Sequence, residues 1–541
     1  MSVITNNLLL GEDGYNISRS VRLRSSASAY FNRTPAGAGN RKTWTWSAWV
    51  KRGSLGVLTT LFGTNVVNND SQAFAIYFGS DDKLGVVPWS NSVFVTNAVF
   101  RDPSAWYHIV VAFDSTQATA ANRVKVYING VNQSGTYPLA VTLNTDYAIN
   151  QAGSHRLGDF PAAGFGTFDG YLTEINFIDG QALTPSSFGE TGSITGVWKP
   201  KKYAGTYGTN GFFLNFSDNS NNTAATIGKD SSGNGNNWTP NNISVTAGAT
   251  YDSMLDVPTM WADGGNGRGN YAVINPLATG ADATISNANL SVAYGTSATI
   301  STTLGTFGMS SGQWYWENTI TASSLSGATS YIGMVNQSNP TAAGAYPGAT
   351  SGGWSYYGNL GTFLNNGSNV QSGLATYGAN DVIGIAFDAD AGTLKFYKNN
   401  TQIGTTITGI AAGTYFPAWS DGSVGNTFTI AANFGQRPFA YTPPTGFKAL
   451  NTQNLPAGSI TTSGSFTGNA SADGPFVYLN GVPTAMTING NAVTFATHAD
   501  KTANGFKVRS SSSSYNASGS NTYSITTTGA KFKYANAQGN P

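Results

Sequence analysis

The chain has 541 residues, enough for two to four domains with separate cores. It holds 66 Gly, 12% aromatic and only 10% charged residues, well under the ~25% charge of an average soluble protein, so an all-β chain with many turns and a surface of Asn, Ser and Thr is expected. A net charge of +1 excludes an electrostatic footprint for nucleic acid or an anionic membrane, and the absence of Cys excludes disulfides, thiolate nucleophiles and Cys-based zinc sites.

The opening MSVITNNLLLGEDGYNIS lacks a basic n-region and has one short apolar run, so it does not read as a signal peptide. No apolar stretch approaches the ~18 residues of a membrane helix. Residues 1–200 are expected to form one β-sandwich. In VRLRSSASAYFNR, Val21 and Leu23 alternate with arginines. TWTWSAWVKR puts Trp44 and Trp46 on one strand face and Trp49 on the other. Strands follow at LTTLFGT, QAFAIYFG, KLGVVPW, SVFVTNAVF and WYHIVVAFD, at sandwich spacing. VKVYINGV places Asn129-Gly130 at a hairpin turn, and FDGYLTEINFIDGQALTPSSF closes the block.

Residues 201–282 form a Gly/Asn/Ser-rich connector. Its length argues against a structureless loop, and it can donate strands to a neighbour. Residues 283–453 hold a second block with GQWYWENTI, YIGMVN and DVIGIAFDADAGTLKFYKNNTQIG. In the last, Val382, Ile383, Ile385 and Phe387 lead to a turn at Asp388–Gly392. Leu394, Phe396 and Tyr397 restart the pattern, and Asn399-Asn400 suits a two-residue turn that needs positive φ. The AFD-then-hairpin logic thus occurs twice. Residues 454–541 read as a small C-terminal β domain with Asn-Gly and Ser-rich turns.

WSAWVK, WYHIVVAFD…VKVYINGV and FDGYLTEINFIDGQALT, in that order, resemble the LamG/concanavalin A-like lectin–glucanase family. WYWE, GIAFD…LKFYKNN and NFGQRPF…PPTGF resemble the SPRY (B30.2-like) domain. Both resemblances imply antiparallel β-sandwiches of jelly-roll, concanavalin A-like type in tandem. The whole series resembles large structural proteins of tailed bacteriophages, such as tail fibres. That resemblance implies a virion appendage made in the bacterial cytoplasm. It would assemble as a homotrimer beside other virion proteins and bind host polysaccharide or lipopolysaccharide, and release by lysis would need no signal peptide. The alternatives are a non-adhesive structural or decoration protein of capsid or tail, and a polysaccharide depolymerase.

Glycoside hydrolysis needs two carboxyls flanking the scissile bond. The chain has four Glu, at 12, 174, 190 and 317, and lacks the glucanase E-x-D-x-x-E strand. Glu174 lies five residues from both Asp169 and Asp179, which puts each pair on opposite faces of a regular strand. No catalytic residue and no enzyme are therefore expected. His108, His155 and His498 lack metal-ligand spacing, and His108 reads as a packed strand residue. Asp388-x-Asp390-x-Gly392 reads as a tight turn. Asp230-x-Ser232-x-Asn234-Gly235 is closer to a calcium loop, although Asn241 stands where a bidentate Glu would be. The LamG resemblance adds Asp159 and Asp169 as possible calcium ligands.

Sugar rings present C–H faces that stack on aromatics while a few polar groups take the hydroxyls. Tyr346, then Trp354, Tyr356 and Tyr357 in GATSGGWSYYGN, and Trp419 with Asp421 in AWSDGS, lie in stretches that read as loops. These six are the candidate glycan platform; the alternative is that Trp354 or Tyr356 belongs to a core strand. Trp44, Trp46, Trp49, Trp314 and Trp316 are expected in the core. GGNGRGN lacks the strand-to-helix context of a phosphate loop, and no heptad seam offers a coiled-coil stalk.

Overall fold

Period-2 alternation of apolar residues produces strands with one buried face, and such strands are stable only when two sheets close on each other. The computed structural model describes residues 14–530, apart from 163–164, 193–195, 296–299, 301, 324–329, 338–344, 422–426, 456, 474, 479–481 and 503–504. The fold is nearly all β, as expected. The larger of two compact units contains Gly14–Thr191 and Val197–Asn454.

Its first sandwich has an eight-stranded and a nine-stranded sheet. Thr43–Arg52 lies central in the former, between Trp106–Asp114 and Gly170–Asp179. Trp44, Trp46, Ala48 and Val50 point into the main core. Trp49 faces the other way and stacks on His108 at 5.0 Å, as the alternation requires. Asn129 and Gly130 have φ of 48° and 82°, the left-handed pair of a type I′ hairpin.

The 201–282 segment completes this sandwich. Phe212–Leu214 pairs with Gly170–Asp179, Thr239–Asn241 with Tyr30–Arg33, and Ser253–Met254 with Ser20–Leu23. Phe212, Leu214, Phe216, Ile227, Trp238 and Ile243 join the same core as Trp44.

The second sandwich pairs an eight-stranded sheet, centred on Gln313–Ser323 and Val382–Asp388, with a six-stranded sheet containing Tyr415–Asp421, Ser330–Asn336 and Gly353–Tyr357. Trp314 and Trp316 are buried. Asn399 and Asn400 take φ of 48° and 70°, and the Asp388 carboxylate caps its turn by accepting from the Asp390 and Ala391 N–H groups. Polar clamps join the two sandwiches. The Asp169 carboxylate accepts from the Ser25 and Ala288 amides, and Tyr171 Oη donates to the Ala288 carbonyl. Arg22 bonds Asp252 and the Ala249 carbonyl, which Arg437 also reaches.

The smaller unit is built on Leu455–Asn536. Ala457–Gly468 pairs with Gly519–Ala530 along its length, Met486, Ile488, Ala499, Phe506 and Val508 form a core, and Asn489-Gly490 makes a left-handed turn.

Candidate functional site

Strand alternation sorts the aromatics of the second sandwich. Ile332 and Met334 of Ser330–Asn336 point inward. Their register partners are Trp419 and Pro417 on one side, Tyr356 and Trp354 on the other, and directly opposed residues share a face. Trp419 and Tyr356 are accordingly fully buried. Trp419 Nε1 donates to Asn318 Oδ1 at 2.7 Å, while the Tyr356 ring packs against Phe363, Tyr377 and Phe396. Neither ring can offer a face to a sugar, which corrects their place in the expected platform. Asp421 is buried at the end of the same strand, and Trp354 is half-buried on the inward face. GGWSYY and AWSD looked like loops because of their Gly and Ser. Both are strands, and the neighbouring strand approaches the first closely: a Cβ on Gly333 would lie 1.9 Å from the Trp354 carbonyl oxygen.

The outward face of the same sheet carries a tyrosine stack. Tyr331 and Tyr357 are cross-strand partners, their rings 4.5 Å apart and 18° from parallel. Tyr346 stacks on Tyr331 at 4.3 Å and 14°, a near-parallel contact just closer than the usual spacing of aromatic pairs. Ser355, also outward, donates its hydroxyl to the Pro347 carbonyl and pins the Tyr346 segment over the sheet. Gly348 turns that segment at φ 96°. Tyr331 is 8% exposed, whereas Tyr346 and Tyr357 are half-buried at the surface. Burial first, then the neighbouring Tyr357 and Tyr346, push the Tyr331 hydroxyl up, so it stays protonated. Two of the six expected residues, Tyr346 and Tyr357, thus meet around a third that was missed. Tyr331 was findable, since YIGMVN alternates it with inward Ile332 and Met334.

A second aromatic surface, not anticipated, lies on the first sandwich. Phe74, Ile76 and Phe78 fill the core, which turns Ala73, Ala75 and Tyr77 outward beside Phe160 and Phe165. Tyr77 lies over Gly85, where a Cβ would sit 2.3 Å from the ring, and its hydroxyl is 2.8 Å from Ser92 Oγ. Trp89 is 36% exposed. Asp70 accepts from both the amide and the hydroxyl of Ser90, tying together the loops beside this face.

The calcium candidates are corrected by their partners. The Asp230 carboxylate accepts from the amides of Phe213, Ser232 and Asn236 and from the Ser232 hydroxyl, all at 2.8–2.9 Å. Donors, not oxygen ligands, surround it, and Asn241 is in a strand. Asp159 pairs with Arg156 and accepts from Thr167, and Asp169 serves the clamp described above. Among the described residues, no three His, Asp or Glu side chains are placed to share a metal ion.

The buried acids are enclosed as well. Glu317 accepts from the Ala440 and Tyr441 amides and from Tyr315 Oη. Glu174 sits in a β-bulge between Thr173 and Asn176 with φ 52°. Burial pushes its carboxyl up to about 8, against the opposing effects of a Tyr15 hydrogen bond and nearby Lys202. Asp179 instead accepts from the Asn40 and Asn210 amides and from Asn150 Nδ2. His108 takes a hydrogen bond from Trp198 Nε1 on Nδ1 and faces Ser47 Oγ with Nε2, and burial pushes it down to about 3. It is the packed strand residue expected. A cavity of about 10 Å³ between Arg33, Asn150, His155, Asn210 and Trp238 is large enough for one water.

Residues 25–187 match the family model described as the concanavalin A-like lectin/glucanases superfamily, and residues 313–437 match the SPRY domain model. The chain therefore carries these two domains in that order. Among solved structures it is similar to the SPRY domain of human HERC1 at 19% identity, covering 30% of this chain and 99% of that one, with a TM-score of 0.27. Stonustoxin is similar at 18% identity over 30% of this chain and 27% of its own, with a TM-score of 0.25. A human SPRY domain is similar at 20% identity over 28% and 94%, with a TM-score of 0.22.

Proposed function

We propose that the protein is a glycan-binding component of a phage virion appendage, acting in adsorption to the host surface. The observation that carries this reading is the Tyr331–Tyr346–Tyr357 stack, a surface-reaching aromatic ledge held rigid by a β-sheet. Aromatic faces with few polar groups suit pyranose rings, and a binding role agrees with a lectin-like domain followed by a SPRY domain. Homotrimers on a particle would convert weak single-site contacts into avidity. The reading assigns no catalytic step, because Glu174 and Glu317 are each enclosed by protein groups and belong to different sandwiches.

The test is binding of labelled full-length protein to the cells of its source, with purified surface polysaccharide as competitor. Saturable binding that polysaccharide abolishes is expected, and Tyr357→Ala should weaken it by about tenfold, the loss of one stacking face. Unchanged binding in that variant would remove the tyrosine stack from the reading. No binding by folded, multimeric wild type would assign the chain a structural place in the particle instead.

The exposed Trp89 and the outward Tyr77, which packs on Phe165, support a second contact surface in the same role. Gly85→Val puts side-chain carbons where the Tyr77 ring lies. It should weaken polysaccharide binding several-fold if that face is used and leave it unchanged if the tyrosine stack acts alone.

A further inference from the structure

Lysine is among the residues least often fully buried, because its ammonium must leave water. Lys51 is nonetheless 0% exposed, at the end of Thr43–Arg52 in the first sandwich. Its Nζ lies 2.7 Å from Asp256 Oδ2 and 2.7 Å from Asn270 Oδ1, with the Tyr271 carbonyl at 2.9 Å. Asp256 is equally buried, and its other oxygen accepts from Trp106 Nε1 at 3.0 Å. The Tyr171 ring flanks the amine at 5.6 Å.

Asn270 is held at both ends. Its backbone exchanges hydrogen bonds with Thr452, and its Nδ2 donates to the Ser104 carbonyl at 2.6 Å. A primary amine is therefore fixed in contact with both a carboxyl group and a carboxamide, beside aromatic rings. The amine belongs to the first sandwich, and the amide belongs to the segment that leads into the second.

We propose that Lys51, Asp256 and Asn270 form a self-modifying centre that joins Lys51 Nζ to Asn270 Cγ as an isopeptide bond. Burial pushes Lys51 down and Asp256 up, against the attraction between the two groups, which is the direction that passes a proton from the ammonium to the carboxyl and frees the amine lone pair for the attack. The amine attacks Asn270 Cγ while Asp256 donates its proton toward the amide oxygen. In the tetrahedral intermediate Nζ carries the positive charge. Asp256 takes a proton from Nζ and delivers it to Nδ2, the Cγ–Nδ2 bond breaks as the carbonyl re-forms and the oxygen-bound proton returns to Asp256, and ammonia departs. One C–N bond forms and one breaks, Asp256 is regenerated, and no oxidant or other co-reactant is needed. Asn270 is half-buried, which gives the leaving ammonia access to solvent.

Intact mass spectrometry of the purified full chain decides the matter. The expected mass is lower than that of the sequence by one ammonia. Tryptic digestion should then give one branched peptide spanning residues 51 and 270, with cleavage after Lys51 blocked. The branched peptide distinguishes this bond from ammonia loss by cyclisation of an Asn elsewhere. Lys51→Met and Asn270→Ala should each restore the full sequence mass, and Asp256→Asn should do so while keeping the side-chain volume. Folded wild type at full sequence mass, with Lys51 cleaved normally by trypsin after prolonged incubation, would overturn the proposal whatever the variants do.

Discussion

Replacing Asp252 with alanine is expected to destabilise the larger unit by ~3–5 kcal/mol, the cost of stranding a buried charge. Asp252 Oδ1 accepts from Arg22 Nε and Arg24 Nε, both at 2.9 Å, and Oδ2 accepts from Arg24 Nη2 and the Ser244 amide. Arg22 and Asp252 are fully buried. Burial first, then the nearby Arg22 guanidinium, pushes the buried Arg437 down to about 9. Asp252 therefore sits among a cluster of cations at the junction of the two sandwiches. Arg24 is 11% exposed, and Arg24→Ala, which leaves Asp252 paired with Arg22, should cost less than Asp252→Ala. Urea unfolding followed by tryptophan fluorescence compares the two; equal midpoints for Asp252→Ala and Arg24→Ala would refute this account of the junction.

Glu174→Gln should change how stability depends on pH. The folded carboxyl titrates at about 8 against 4.5 when unfolded. Between those values the unfolded chain binds fewer protons than the native one, so native stability falls as pH rises. Wild type should therefore lose on the order of 4 kcal/mol from this group between pH 4.5 and pH 8, and the glutamine variant should lose none of it. Because Gln keeps the shape and the Tyr15 hydrogen bond, the two proteins should be about equally stable near pH 5 and the variant more stable at pH 8.5. Parallel stability–pH curves would mean that Glu174 is ionised in the native state.

Features governed by local period and turn chemistry were legible in the sequence. The inward Trp44 and Trp46, the outward Trp49, and the left-handed Asn129-Gly130 and Asn399-Asn400 turns follow from strand alternation and from residues that tolerate positive φ. Both sandwich domains were legible for the same reason. The candidate site was only half legible. Gly and Ser beside Trp354 and Trp419 resemble loop composition, but both stretches are strands inside a sheet, where Trp419 is core and Trp354 is half-buried. Parity reasoning at Glu174 assumed a regular strand and did not foresee the bulge. At Asp230 the pattern D-x-S-x-N-G suits a cation loop and an amide-lined turn equally well, because only the direction of the backbone groups separates them. The connector strands are two or three residues long, too short to show any period.

Those short strands bear on the order in which the molecule can be made. Tyr30–Arg33 and Ser20–Leu23 leave the ribosome well ahead of their partners Thr239–Asn241 and Ser253–Met254, which are synthesised more than two hundred residues later. Until then two strand edges and part of the apolar interior stay open, the condition under which nascent chains pair with one another. Trp238 and Phe212 thus act as late closures on an early domain. A chain released after its first two hundred residues would carry every strand of that early sequence block and still lack a finished molecule.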